Sequence, residues 1–563
     1  MRIIAKLAKC LFKEAAYPVG LFVLCMRFWY NAGMKKAFVV VFALGVVSVF
    51  SVAKGDVRGS AKGYDKYAET SRPEVKSRKT AFFAKVHEAG LPVMYSTHVM
   101  VGTDRTNAPL YVMMEYNEEK IPPLFETFAA EGLIPPGLMI FIANGNLKPT
   151  VEGGFPRYMR GEAFGRVGRG FPSMLVEELV PAAAKACGVT VSSDPDLHFI
   201  SGSSAGGGAT LNAVWYRNDY FHRAYAASPF LDSGRGGEEL LRLIRMTEAK
   251  PLRIYLTTGD VEPDRTPGDL FFDNMQLRAS FDFAGYPCEL KYFPKGGHNA
   301  GKGNPETMRR MVEFVWKDWK TAKIVPPRNP VRVASLVAPG TGWTEVSESQ
   351  SKRLDVASPV KAAGGEYSFD GGRILFTKGG ATKVASDAFR RVAGLSLSSD
   401  GWRLYVIDAE RRDIFALTVK PDGSLGFPFQ LAPIRLAYDA MRLGASDILT
   451  LENDRVLVAT ELGVQSSMSF GTLDVVLPLP GDAPVERIWM EGKTLYARSG
   501  SRTFRRELLV GVAQSGVLTK PHHYYYGIPG ENKSSDHRPQ FAESVKTLKA
   551  AFLVNRIKDA ESK

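Results

Sequence analysis

The chain is poor in the residues that build metal centres and disulfide frameworks. It holds 4 cysteines and 8 histidines in 563 residues, and no C-x-x-C or H-E-x-x-H spacing points to a zinc or redox site. Cys10 and Cys25 fall near the N-terminus. Cys187 and Cys288 lie far apart in sequence with no pairing signature, so two buried free thiols are the expectation. A concentrated basic segment is also missing. The formal charge of +13 comes from 72 Lys and Arg against 59 Asp and Glu, dispersed along the chain, and no basic stripe is interleaved with aromatics. That excludes nucleic acid as a leading partner and leaves a basic, soluble surface. Nor is there a cofactor-binding motif.

What is present begins at the N-terminus. Met34-Lys35-Lys36 precedes an apolar run, 37–52, that ends in Ser51-Val52-Ala53 and a polar stretch. A short positive segment, an apolar core and small residues at the last and third-last positions read as a secretory signal peptide, Met34 to Ala53, inside a leader of residues 1–53. The expected location is secreted or periplasmic, with the membrane touched only through this leader. The run is short for a span, though an uncleaved anchor is the alternative. Residues 54–79 read as a charged linker.

From about Thr80 to Val325, apolar runs alternate with helical patterns. Leu110–Met114, Leu138–Ala143, Leu197–Ser201, Leu252–Leu256 and Glu289–Phe293 are candidate strands, with helices over Ser173–Cys187 and Glu306–Trp319. Continuous apolar strands alternating with helices predict an α/β domain over 80–325, its sheet mostly parallel and covered on both faces. Pro326-Pro327-Arg328-Asn329-Pro330 breaks the chain. Over 331–515, short alternating strands bounded by Asp-Gly and Gly-Gly turns predict an all-β, β-propeller-like domain. Residues 516–563 read as a peripheral tail.

The chemistry centres on Gly202-Ser203-Ser204-Ala205-Gly206. A serine hydroxyl is a weak nucleophile until a base takes its proton. G-x-S-x-G sets the serine on a sharp turn between strand and helix, and here Phe199-Ile200-Ser201 precedes it and a helical run follows. Ser204 is therefore the candidate nucleophile, with the Ala205 N–H as an oxyanion donor at the helix start. In such a fold the order is serine, acid, histidine. His298, in Lys295-Gly296-Gly297-His298 past the last strand, is the candidate base. Asp260, Glu262 and Asp264 share the loop after the fourth strand and are the candidate acids. His198 and His222 read as structural.

Residues 80–320 resemble the enterochelin-esterase-like branch of the esterase D family of α/β-hydrolases. The resemblance rests on Glu177-Glu178-Leu179-Val180-Pro181, the Ser204 turn, Asn212-Ala213-Val214-Trp215, Asn218-Asp219-Tyr220-Phe221, Asn274-Met275, Gly285-Tyr286, Gly296-Gly297-His298 and Trp316-Lys317-Asp318-Trp319. It implies Ser204 as nucleophile and His298 as base. The family's acid stands three residues after a loop glycine, which from Gly259 gives Glu262 first and Asp264 second. One departure stands out. The family's Asp-Gly after the first parallel strand is Glu115-Tyr116 here, which leaves the second oxyanion donor unassigned and sets Tyr116 at the pocket. Siderophore, feruloyl and acetyl esters are the implied substrates. Arg160, with Arg157, Arg166 and Arg169, is a candidate contact for an anionic substrate.

Residues 335–515 more loosely resemble gluconolactonase and SMP-30-like propellers, through Gly394-Leu395-Ser396-Leu397-Ser398-Ser399-Asp400-Gly401, Asp422-Gly423-Ser424-Leu425 and Leu457-Val458-Ala459-Thr460. Those propellers hold a metal on Glu, Asn and Asp. Here Ala393 replaces the Asn, Asp447 fits the Asp, and no Glu matches, so no metal and no cofactor is expected. The reading is an exported serine carboxylic-ester hydrolase acting on a small-molecule ester. A propeller lactonase and a non-catalytic binding protein are the alternatives, and no feature fixes an oligomeric state.

Overall fold

The computed structural model describes residues 80–86, 89–144, 151–154, 159–231, 236–266, 268–347 and 359–513. The signal peptide, the 54–79 linker, Arg157 and the 516–563 tail lie outside them.

In chain order the first part contains β1 (Thr80–Val86), β2 (Ala89–Val99), β3 (Leu110–Met114), α1 (Ile121–Ala130), β4 (Leu138–Asn144), α2 (Met159–Phe164), α3 (Gly170–Met174), a π-helical turn (Leu175–Leu179) and α4 (Val180–Cys187). Then come β5 (His198–Ser203), α5 (Ala205–Tyr216), β6 (Arg223–Ala227), α6 (Gly237–Met246), β7 (Arg253–Val261), the two-residue β8 (Asp264–Arg265) and β9 (Gly268–Asp269), α7 (Leu270–Phe283), β10 (Cys288–Gly297) and α8 (Pro305–Val315). Eight strands form one sheet in the order β1-β2-β4-β3-β5-β6-β7-β10. β1 and β2 pair antiparallel at one edge, and the six from β4 to β10 run parallel.

The sheet has two buried faces, as continuous apolar strands require. Leu110, Val112 and Met114 of β3 enter one cluster with Ile200, Leu211 and Leu256. Tyr111 and Met113 enter the other with Phe199, Tyr255 and Trp316. The five strands expected from sequence correspond to β3, β4, β5, β7 and β10. The sixth parallel strand, β6, was hidden by its composition, an arginine and three alanines around one tyrosine. Arg223 is nonetheless 1% exposed. Its Nε donates to Asp196 O at 2.7 Å, another guanidinium nitrogen donates to Val315 O, and the group stacks 4.6 Å over Trp316. A buried cation that finds carbonyl acceptors and an aromatic face is tolerated where a bare one is not.

The second part is a set of four four-stranded antiparallel sheets. They span β12–β15 (360–386), β16–β19 (392–433), β20–β23 (447–477), and β24–β26 (487–507) completed by β11 (Thr344–Val346). β11 pairs with β26 antiparallel, Glu345 opposite Phe504, so the first strand of this part closes its last sheet. The two parts share a core: Ala437, Leu462 and Val476 belong to the same buried cluster as Leu211 and Val214 of α5.

Candidate active site

Ser204 stands between β5 and α5 with φ 54° and ψ −122°, a region that costs a non-glycine residue energy and persists only when its surroundings fix it. They do so through the backbone. Its N–H donates to Ala227 O at 2.9 Å, and its carbonyl accepts from Gly208 N at 3.0 Å and Phe230 N at 2.8 Å. The glycine before the turn is sterically required, because a Cβ on Gly202 would lie 2.2 Å from Gly206 O. All twelve residues of α5 are buried, which fixes the turn against the core. Ala205 opens α5, so its N–H is among the first four helical donors that lack a partner within the helix.

The neighbouring parallel strands end on the same edge of the sheet. β6 ends at Ala227 beside Ser203, β7 continues past Thr257, and β10 pairs with β7 up to Gly297 opposite Val261. The loops after β7 and β10 carry Glu262 and His298. Nδ1 of His298 lies 2.6 Å from Oε2 of Glu262. The Glu262 side chain has no solvent exposure, and that of His298 is one-quarter exposed. The other carboxylate oxygen, Oε1, accepts from the Ser228 hydroxyl at 2.5 Å and more weakly from the Gly259 N–H and the Thr258 hydroxyl, each at 3.4 Å. Burial alone would raise the Glu262 pKa. The hydrogen bonds from His298, Ser228 and Gly259 outweigh it and hold the carboxyl below the usual glutamate range.

Ser228 escaped the sequence reading. It follows β6, has φ 43° and no solvent exposure, and uses its hydroxyl twice: it donates to Glu262 and accepts the Asn299 N–H at 3.0 Å. Its own N–H donates to Thr257 O. One buried hydroxyl thus ties the Glu262 carboxylate to Asn299, the residue immediately after His298. The only signal in sequence was a serine just past an unrecognised strand.

The other candidates are distributed as follows. Asp264 is exposed on β8, paired with Asp269 across the short β8–β9 ladder. Asp260 accepts from the Tyr292 phenol at 2.8 Å. Glu115 and Tyr116 follow β3. The Tyr116 phenol bonds Ser201 Oγ at 2.8 Å, beneath the turn, and burial pushes its pKa well up. The carboxylate of Glu115 accepts from Nε and Nη2 of Arg160 on α2. Lys302, four residues after His298, donates to Glu115 O at 2.6 Å and lies 5.1 Å over the Tyr116 ring. Arg166 is exposed. Arg169 points to the β-rich part, donating to Glu461 O at 3.3 Å. His198 bonds the carbonyls of Tyr220 and Ser192, and His222 bonds Asp196. Cys187 and Cys288 are both free, but only Cys288 is buried, which pushes its thiol up to about 12, whereas Cys187 is half-buried.

In the β-rich part, Asp447 is committed to structure. Oδ2 accepts the Ile488 N–H at 3.0 Å and lies 3.3 Å from Arg487, and Oδ1 accepts the Ile448 N–H at 2.9 Å. Ala393 lines an open cavity of about 590 Å³ with Arg390, Arg391 and Arg442.

No family model matches the chain, and no curated protein matches it. Among solved structures, an enterochelin esterase from Shigella flexneri is 19% identical with a TM-score of 0.33, the match covering 44% of this chain and 60% of that one. A ferulic acid esterase is 18% identical with a TM-score of 0.33, covering 42% of this chain and 97% of that one. A structure described as a gluconolactonase is 13% identical with a TM-score of 0.23, covering 26% of this chain and 49% of that one. Likenesses this weak leave any functional reading to the chain's own geometry.

Proposed function

We propose that the chain is an exported serine hydrolase of carboxylic esters, built on an α/β-hydrolase sheet. The observation that carries this is the His298–Glu262 pair. A histidine and a buried carboxylate are bonded at 2.6 Å on the loops after β10 and β7, at the edge of the sheet where β5 delivers Ser204 into a strained turn.

The chemistry follows from those positions. Glu262 accepts the Nδ1 proton of His298, which leaves Nε2 as the base. Nε2 takes the Ser204 proton as Oγ attacks the ester carbonyl. The Ala205 N–H, at the positive end of α5, faces the developing oxyanion. His298 then hands the proton to the leaving alcohol, and the acyl-enzyme is resolved by water activated the same way. Siderophore, feruloyl and acetyl esters are the first substrates to test, on the motif resemblance. The four antiparallel sheets, closed by β11 on β26, support reading the second part as a reduced propeller without a catalytic role of its own.

Ser204→Ala is the decisive variant. Loss of 4-nitrophenyl acetate turnover and of fluorophosphonate labelling is expected. Unchanged turnover would reject the assignment. Lactone hydrolysis that survives Ser204→Ala and disappears with a chelator would transfer the activity to the β-rich part.

A further inference from the structure

We propose that the open cavity where the second four-stranded sheet meets the third binds a small carboxylate with an apolar body, held by Arg390 and Arg391 over an apolar floor. This binding belongs to the β-rich part alone and does not depend on the esterase reading.

Three segments enclose this cavity of about 590 Å³: the entry to the second sheet at 390–393, a turn of that sheet at 409–410, and the connection into the third sheet at 441–446. One buried carboxylate fixes the first two. Asp408 has no solvent exposure and accepts the N–H groups of Arg390 at 2.9 Å, Arg391 at 3.3 Å and Glu410 at 2.9 Å. Glu461 fixes the third, accepting the N–H groups of Met441 at 3.0 Å and Arg442 at 2.8 Å. Gly444 lets the third segment close on the second, since a Cβ there would lie 2.3 Å from Asp408 O. The walls are set by backbone bonds before a ligand arrives, which lowers the ordering cost of binding.

The lining has an apolar half and a basic half. Ala393, Ala409 and Ala445 make a floor of small side chains, and Met441 and Leu443 stand beside it 81% and 58% exposed. Large apolar side chains left in water at a concavity gain when a ligand covers them. Of the three arginines, Arg442 is spent on structure, its Nη2 donating to Val485 O at 3.1 Å and its Nε 3.6 Å from Glu461. Arg391 only approaches Glu410, at 3.9 Å. Arg390 is exposed, and its side chain has no partner among the described residues. A guanidinium in this state meets a carboxylate through two parallel hydrogen bonds. The donor set does not suit a cation, because Glu410 is the one carboxylate among the lining residues and a hard metal ion takes several oxygen ligands.

Calorimetric titration of the full chain with benzoate, benzyl alcohol and inorganic phosphate tests this. Benzoate carries both features, benzyl alcohol lacks the charge, and phosphate lacks the apolar body. Benzoate should bind with an affinity that falls as salt rises. The other two should bind about tenfold more weakly or worse. Arg390→Gln should weaken benzoate about tenfold, as expected for one lost hydrogen bond to a charged group, and adding Arg391→Gln should weaken it further. Ala393→Leu keeps every charge, fills the floor and should abolish binding. Because the Arg390 side chain is exposed and unpaired, Arg390→Gln should melt as wild type does, which separates lost binding from lost fold. Ser204→Ala should bind benzoate like wild type, so failure of the esterase reading leaves this site standing. Absence of benzoate binding overturns the proposal. Binding that the arginine variants leave unchanged overturns it too, because it places benzoate elsewhere. Benzyl alcohol or phosphate binding as tightly as benzoate would remove the need for one half of the lining and overturn it equally.

Discussion

The hydroxyl of Ser228 donates to Glu262 Oε1 at 2.5 Å while the other oxygen of that carboxylate meets His298. Because the same hydroxyl accepts the Asn299 N–H, acid and histidine loop are positioned by one atom. Ser228→Ala leaves the Asn299 N–H without its acceptor and Glu262 Oε1 with only two long contacts. A misplacement of about 1 Å in such a constellation costs up to ~100-fold in rate. The expected result is a tenfold to hundredfold fall in kcat with little change in KM. A variant with wild-type kcat would show that Glu262 and His298 hold their geometry without the serine.

Glu262 also ties stability to pH. Its carboxyl is held below the usual range in the folded chain, so folding favours its ionised form. That contribution is fully present above the unfolded-state value. It is lost as pH falls through the folded-state value. Wild type should therefore exceed Glu262→Gln in thermal stability near neutral pH, and the gap should close as pH drops below the carboxylate range. A gap that persists to low pH would mean that the loss in Glu262→Gln is one of packing rather than charge.

Much of this was readable in the sequence, for definite reasons. Ser204 was marked by glycines the turn cannot replace, and His298 by its place after the last strand. Glu262 was only one of three carboxylates in one loop, because a string of residues does not show which one turns inward. The structure buries Glu262 and exposes Asp264. β6 and the antiparallel pair β1–β2 were not legible as strands. The arginine of β6 donates to backbone carbonyls 27 and 92 residues away, and no local pattern encodes such pairing. Ser228 was invisible for the same reason, since its role exists only once β6 lies between β5 and β7.

Asp273, in the first turn of α7, shows a shift of the opposite sign. Burial, with Glu238 and Asp269 nearby, pushes its pKa up to about 6. A carboxyl raised in the folded state contributes stability below its unfolded value, lost as pH rises through about 6. Asp273→Asn should match wild type near pH 4 and exceed it at pH 8. Because the side chain is half-buried and screened, the gain should stay below about 1 kcal/mol. Thermal melts at the two pH values decide this, and a loss at pH 8 would mean that the charge is favourable at the helix start.

Lys250 and Asp482 join the two parts of the chain across a buried ion pair. Lys250 Nζ lies 3.3 Å from both oxygens of Asp482, donates to Trp215 O at 2.6 Å near the end of α5, and sits 4.9 Å over the Trp215 ring. Both side chains are below 10% exposed. Lys250 belongs to the α/β part and Asp482 to the β-rich part, next to the pairing of Thr247 with Val476 and the bidentate Glu248–Arg506 pair. Removing one member leaves an uncompensated buried charge, which typically costs about 3–5 kcal/mol. Lys250→Met should therefore be strongly destabilising in denaturant unfolding. Lys250→Met with Asp482→Leu should recover most of the loss, because it removes both charges and fills the space. If the pair also couples the two parts, the single variant should split one unfolding transition into two, with the β-rich part separating first. A double variant as unstable as the single would show that the site depends on Lys250 capping the Trp215 carbonyl rather than on the ion pair.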